Sequence, residues 1–98
     1  MRLIEKEMCK AIIDRRDWSK DNTRVHFTCT GVGRIYLHEN HIADAHRNYY
    51  GSIVITPNLD TLAQWPTPTT KSRLRALGVN VTQKAGAVAI DGEVVCHV

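Results

Sequence analysis

A chain of 98 residues with 43% hydrophobic and 23% charged side chains is sized for one modest core and too small for two. Its net charge of +3 permits an anionic partner without requiring one, and it disfavours mimicry of a phosphate ladder, which needs strong acidity. The apolar runs are too short to span a bilayer, and Arg2, Glu5, Lys6 and Glu7 interrupt any signal-peptide core, so no membrane partner and a cytosolic location are expected.

Residues 2–16 place Leu3, Ile4, Met8, Ala11 and Ile12 at helical spacing between charged residues, which predicts an amphipathic helix ending near Arg15-Arg16. Asp17 to Asn22 reads as a polar connection in which Trp18 plugs the edge of the core. From Thr23 the period changes to two: Val25, Phe27 and Cys29 alternate with Arg24, His26 and Thr28 on a strand with one wet side. Gly31-Val32-Gly33 turns the chain into a second strand with Ile35 and Leu37. A tight turn at Glu39-Asn40 leads to a third short strand at Ile42-Ala43. Asn48 to Gly51 turns again, and Ser52 to Thr56 forms a fourth strand ending at Pro57.

Leu59 to Trp65 reads as a single helical turn. A second helix follows at about 69–77: the prolines at 66 and 68 hold its approach extended, a threonine caps its first turn, and Gly78 supplies a left-handed stop. Val79 to Thr82 forms a strand, and Ala87 to Ile90 and Glu93 to Val98 flank Asp91-Gly92, a strong two-residue hairpin signal. The expected architecture is one α+β domain over residues 1–98: a mostly antiparallel sheet with the N-terminal helix and a second short helix packed on one side.

No constellation specifies a reaction. Cys9, Cys29 and Cys96 include no C-x-x-C pair and read as small buried hydrophobes or bystanders. His38, His41 and His46 are close in sequence but match no zinc spacing, and His38-Glu39-Asn40-His41 lies on a turn, without the helix an H-E-x-x-H or His-Asn-His site needs. On a strand, His26 and Cys29 point to opposite sides, as do Cys96 and His97, so no Cys–His pair forms. The carboxylates have no acid–base spacing, and Gly31-Val32-Gly33 lacks the rest of a phosphate loop. No cofactor is expected, and the chain is read as a non-enzyme.

Two features point to contact with a macromolecule. Lys71, Arg73 and Arg75 on the second helix, joined by Arg34, Arg47 and Lys84, form a basic patch suited to phosphates or carboxylates. Tyr49 and Tyr50 stand side by side at a turn, so one of them must leave the core and can serve as a contact hot spot.

The combination Trp18-Ser19 with Asn22-Thr23, then Leu37-His38-x-Asn40-x-Ile42-Ala43, then Trp65-x-Thr67-x-Thr69-Thr70-Lys71-Ser72-Arg73-Leu74-x-Ala76-Leu77 resembles small accessory proteins encoded by tailed bacteriophages. The likeness covers residues 18–78. It implies a phage accessory protein working in the cytoplasm of an infected bacterium, and it carries over no catalytic residue. Proteins of this kind occupy a surface of a host protein or ribonucleoprotein complex, and inhibition of a defence system such as CRISPR or restriction is one instance by analogy. The alternatives are direct nucleic-acid binding through the basic helix and metal-dependent hydrolysis at the histidines. Pairing of an open Glu93–Val98 edge as a homodimer is a further expectation.

Overall fold

The first helix, α1, spans Leu3–Ile13 and buries Met8, Ala11 and Ile12, the residues its apolar spacing selects. The structure is a computed structural model that describes residues 2–98. At the helix start the Glu5 carboxylate accepts the Arg2 N–H at 3.2 Å, one half of a capping box. The helix stops earlier than its periodicity suggests. Arg15 adopts a left-handed φ of 53°, and the Arg16 N–H returns to the Ala11 carbonyl at 3.0 Å. The Arg15-Arg16 pair therefore lies beyond the last turn, on a C-terminal closure usually given to glycine.

Five antiparallel strands follow as a meander in chain order: β1 (Trp18–Lys20), β2 (Thr23–Phe27), β3 (Gly33–Leu37), β4 (Asn40–Arg47) and β5 (Ile53–Pro57). The segment expected as a polar connection thus supplies β1, because Trp18 pairs with Val25 and Lys20 with Thr23 across a two-residue turn. Trp18 packs against the core from that edge. The β3–β4 hairpin turns on His38 and Glu39, both at positive φ, one residue earlier than expected. Two left-handed residues match the right-handed twist of the flanking strands. Cys29 leaves the strand alternation and is exposed.

A bulge decides the faces of β4. Ile35 pairs with Ala43 but Tyr36 pairs with His41, so Ile42 is the extra residue. Ile42 and Ala43 both enter the core as a result, while His41 joins Tyr36 on the outer face. Across β2 and β3 the Phe27 ring covers Gly33, and a Cβ there would stand 2.9 Å from its Cζ.

Helix α2 (Leu59–Gln64) is capped by Asn58, whose side chain accepts the Thr61 N–H. Helix α3 (Pro68–Ala76) has Thr67 as its cap, a proline in its first turn, and Gly78 beyond its end at φ 93°. Strands β6 (Val81–Lys84), β7 (Ala87–Ile90) and β8 (Glu93–His97) then form a separate three-stranded sheet, with Asp91 and Gly92 both at positive φ in the expected hairpin turn. The fold is α+β and mostly antiparallel sheet, divided between two sheets.

The second sheet changes the position of α3. This helix contacts α1 and β4 as well as β6, and its Thr70, Lys71, Arg73 and Leu74 are buried between them. One core cluster runs through Met8, Ile35, Ile42, Leu62, Leu74, Val81 and Val88, joining all the layers. Truncating Leu74, which is fully buried, would cost about 2–5 kcal/mol by the usual cavity penalty.

Candidate functional site

The expected basic patch on α3 is corrected by the structure. Arg73 is 3% exposed, and its Nη1 donates to Glu5 Oε2 at 2.9 Å, its Nε to Thr23 Oγ1 at 3.0 Å. Lys71 is also buried and donates to Gln83 on β6. Arg75 is exposed, but its Nε donates to the Val81 carbonyl at 2.9 Å. Two of the three charges therefore serve internal cohesion, Arg73 against α1 and β2 and Lys71 against β6 of the second sheet. A signal for this is present in the sequence: Glu5 lies on the same helical face as Met8 and Ile12, and a carboxylate on a buried face requires a cation.

Glu5 is well satisfied. Burial pushes its carboxyl upward, but the Ser72 hydroxyl at 2.6 Å, the Arg2 N–H and the Arg73 guanidinium outweigh that and leave it below the ordinary value. The same charge, second to burial itself, helps hold the Cys9 thiol up, away from the reactive thiolate.

The histidines are dispersed. His38 is exposed at its turn, and His46 is exposed near the end of β4. His41 is engaged: its Nε2 is 2.7 Å from Asp44 Oδ1, and its Nδ1 is 3.4 Å from the Asn58 amide nitrogen. Among the described residues no three His, Cys, Asp or Glu side chains converge as a metal ligand set.

The outer face of the five-stranded sheet carries two rows of polar side chains. Arg24, Tyr36 and His41 are cross-strand neighbours, as are His26, Arg34 and Asp44. Arg24 lies 4.2 Å over the Tyr36 ring and pairs with Glu39 at 2.9 Å. His26 faces Asp17 at 3.1 Å, and Asp17 is held below the ordinary carboxylate value, first by the Phe27 N–H and then by His26. Arg34 is exposed and makes no ion pair among the described residues. The cations of this face are largely matched by Glu39, Asp17 and Asp44, which leaves little net field for a polyanion.

The turn between β4 and β5 differs. Tyr49 is 96% exposed and Tyr50 87%, so both rings leave the core, with centroids 5.5 Å apart in an edge-to-face pair. The backbone beneath them is closely tied. Asn48 Oδ1 accepts the Tyr50 and Ser52 N–H groups, each at 3.0 Å, and Gly51 takes a φ of 81°. Arg47 straddles the turn, donating to the Gly51 carbonyl at 2.9 Å and to the Ile13 carbonyl of α1 at 3.1 Å. Arg47 thus acts as a clamp for the tyrosine tip. Arg34 lies on the outer sheet face and Lys84 is exposed at the end of β6, so the residues expected to form one patch occupy separate places.

Two exposed aromatics on a hydrogen-bonded turn form a preorganised apolar knob with polar tips, the arrangement that gives contact area at small entropic cost. Compared with known proteins, residues 1–97 match the family model described as Kyanoviridae Gp96 protein. No curated protein and no solved structure matches the chain.

Proposed function

Because the chain belongs to the Kyanoviridae Gp96 family of cyanophage proteins, we propose that it is a non-enzymatic accessory protein that docks on a protein of the infected host through the Tyr49–Tyr50 tip. The observation that carries this reading is the near-complete exposure of both rings on a turn fixed by Asn48, Gly51 and Arg47. Folding gives no reason to hold two tyrosines in water on a rigid support, and Tyr is enriched where truncation costs the most binding energy. The partner is a host protein or a ribonucleoprotein met on its protein surface, and inhibition of a defence complex is one form such docking takes. No helix among the described residues is long and apolar enough to cross a membrane.

Direct nucleic-acid binding through α3 has less support, since Lys71 and Arg73 are buried. The test is capture from host lysate with nuclease-treated and untreated arms. A specific partner retained after nuclease treatment, and lost with Tyr49→Ser/Tyr50→Ser but not with Lys84→Glu, is expected. Capture unaffected by the double tyrosine variant would remove the tip from the function. Capture abolished by nuclease would shift the reading to nucleic acid.

A further inference from the structure

Strand β5 is an edge of the five-stranded sheet, and among the described residues β4 is its one strand neighbour. The Asn48 N–H bonds the Ser52 carbonyl and the Asn58 N–H bonds the Ile42 carbonyl. In an antiparallel ladder these contacts alternate, so Val54 and Thr56 also direct their backbone groups at β4. The N–H and C=O of Ile53 and Ile55 must then face outward. Sheet edges are usually blunted by charge, bulges or brevity. The other edge of this sheet, β1, is three residues long and ends in Lys20. By contrast β5 reads Ile-Val-Ile-Thr-Pro, with no charge and no bulge in its pairing with β4, and its one blunting residue, Pro57, stands at the far end beyond Ile53 and Ile55.

Beside this edge three adjoining hollows of about 180, 270 and 550 Å³ form one groove. The first two share Ile53, Ile55 and Leu77 as walls, and the second and third share Pro57, Ile90 and Asp91. The ends of the groove differ in charge. Arg15 and Arg47 gather with Ile53 at one end of β5. Asp60, Asp91 and Glu93 line the hollow at the Pro57 end.

We propose that β5 pairs antiparallel with β5 of a second copy about a two-fold axis through Val54. In that register Ile53 faces Ile55 of the other copy, and both outward N–H and C=O groups of each residue are satisfied. The side chains of Ile53 and Ile55 continue the apolar groove of the opposite copy. Antiparallel pairing also sets the Arg15–Arg47 end of each copy against the Asp60, Asp91 and Glu93 end of the other. A parallel strand or a neutral peptide would not use that charge difference, whereas a second copy supplies both signs at once. The pairing uses neither Tyr49 nor Tyr50, so it stands or falls separately from host capture.

Val54 lies on the axis and on the outer face, where it meets its own copy as a non-hydrogen-bonded pair with the side chains close together. Val54→Lys and Val54→Glu each set like charges opposite one another. Light scattering during gel filtration should give a dimer for the native chain and half that mass for either variant, with far-UV circular dichroism unchanged. Mixing the two variants should restore the dimer mass. A native chain that stays monomeric at its highest soluble concentration would overturn the proposal. Variants that both remain dimeric, or a mixture that does not recover the dimer, would do the same.

Discussion

Arg73 Nη1 lies 2.9 Å from Glu5 Oε2, with 4% of each side chain exposed, across 68 residues of sequence. The pair ties α3 to α1, and the Ser72 hydroxyl and the Thr23 hydroxyl complete its hydrogen bonding. Taking either charge away leaves the other buried without a partner. Glu5→Ala or Arg73→Ala should each cost about 3–5 kcal/mol in urea denaturation. Replacing both, as Glu5→Leu with Arg73→Met, should cost far less than the two single losses together. Additive losses would show that the two groups are not coupled.

The lowered carboxyl of Glu5 sets a pH dependence. In the folded protein Glu5 binds a proton less readily than in the unfolded chain. The unfolded state therefore takes up more protons as the pH falls, and stability falls with it. The contribution of Glu5 is fully present above the ordinary carboxylate value of about 4 and is lost as the pH drops through the folded value. The urea midpoint should fall below that range, and Glu5→Gln should flatten this acid limb while lowering stability at neutral pH. An equally steep acid limb in Glu5→Gln would assign the effect to other carboxylates.

The tyrosine tip should be nearly silent in stability. Tyr49→Ser and Tyr50→Ser are expected to change unfolding free energy by less than about 0.5 kcal/mol, as for surface positions that touch little. Asn48→Ala instead removes the acceptor of two backbone N–H groups and should cost about 1 kcal/mol. Hydrogen exchange at Tyr50 and Ser52 would register that loss directly. Unchanged protection in Asn48→Ala would mean that the turn is held by other contacts.

The cap of α3 is a local determinant that can be isolated. Thr67 Oγ1 accepts the Thr70 N–H at 3.1 Å. Thr67→Ala should lower stability by about 1 kcal/mol, and Thr67→Ser should retain most of it. Equal losses in the two variants would point to the methyl group instead of the hydroxyl.

Features that depend on neighbouring residues are legible in the sequence itself. The Asp91-Gly92 hairpin, the proline-and-threonine start of α3 and its Gly78 stop all rest on φ preferences and bonds spanning a few residues. The turn at Tyr49-Tyr50 is equally legible, though adjacency requires only one ring to leave the core and both do. Strand β1 is not legible, because Trp18-Ser19-Lys20 has no alternation long enough to read and becomes a strand only when β2 pairs with it. The groove along β5 escapes the sequence for a related reason, since its walls come from α1, α3 and the second sheet.

Sequence alone determined the class of this protein: helix and strand periods, turn chemistry and composition require an α+β chain with a modest core. Tertiary structure alone decided which charges reach solvent. Lys71, Arg73 and Arg75 look alike on a helical net, and the packing of α3 buried the first two, Arg73 against α1 and β2 and Lys71 against β6. Burial depends on what packs from afar, whereas periodicity records only which side of an element is apolar.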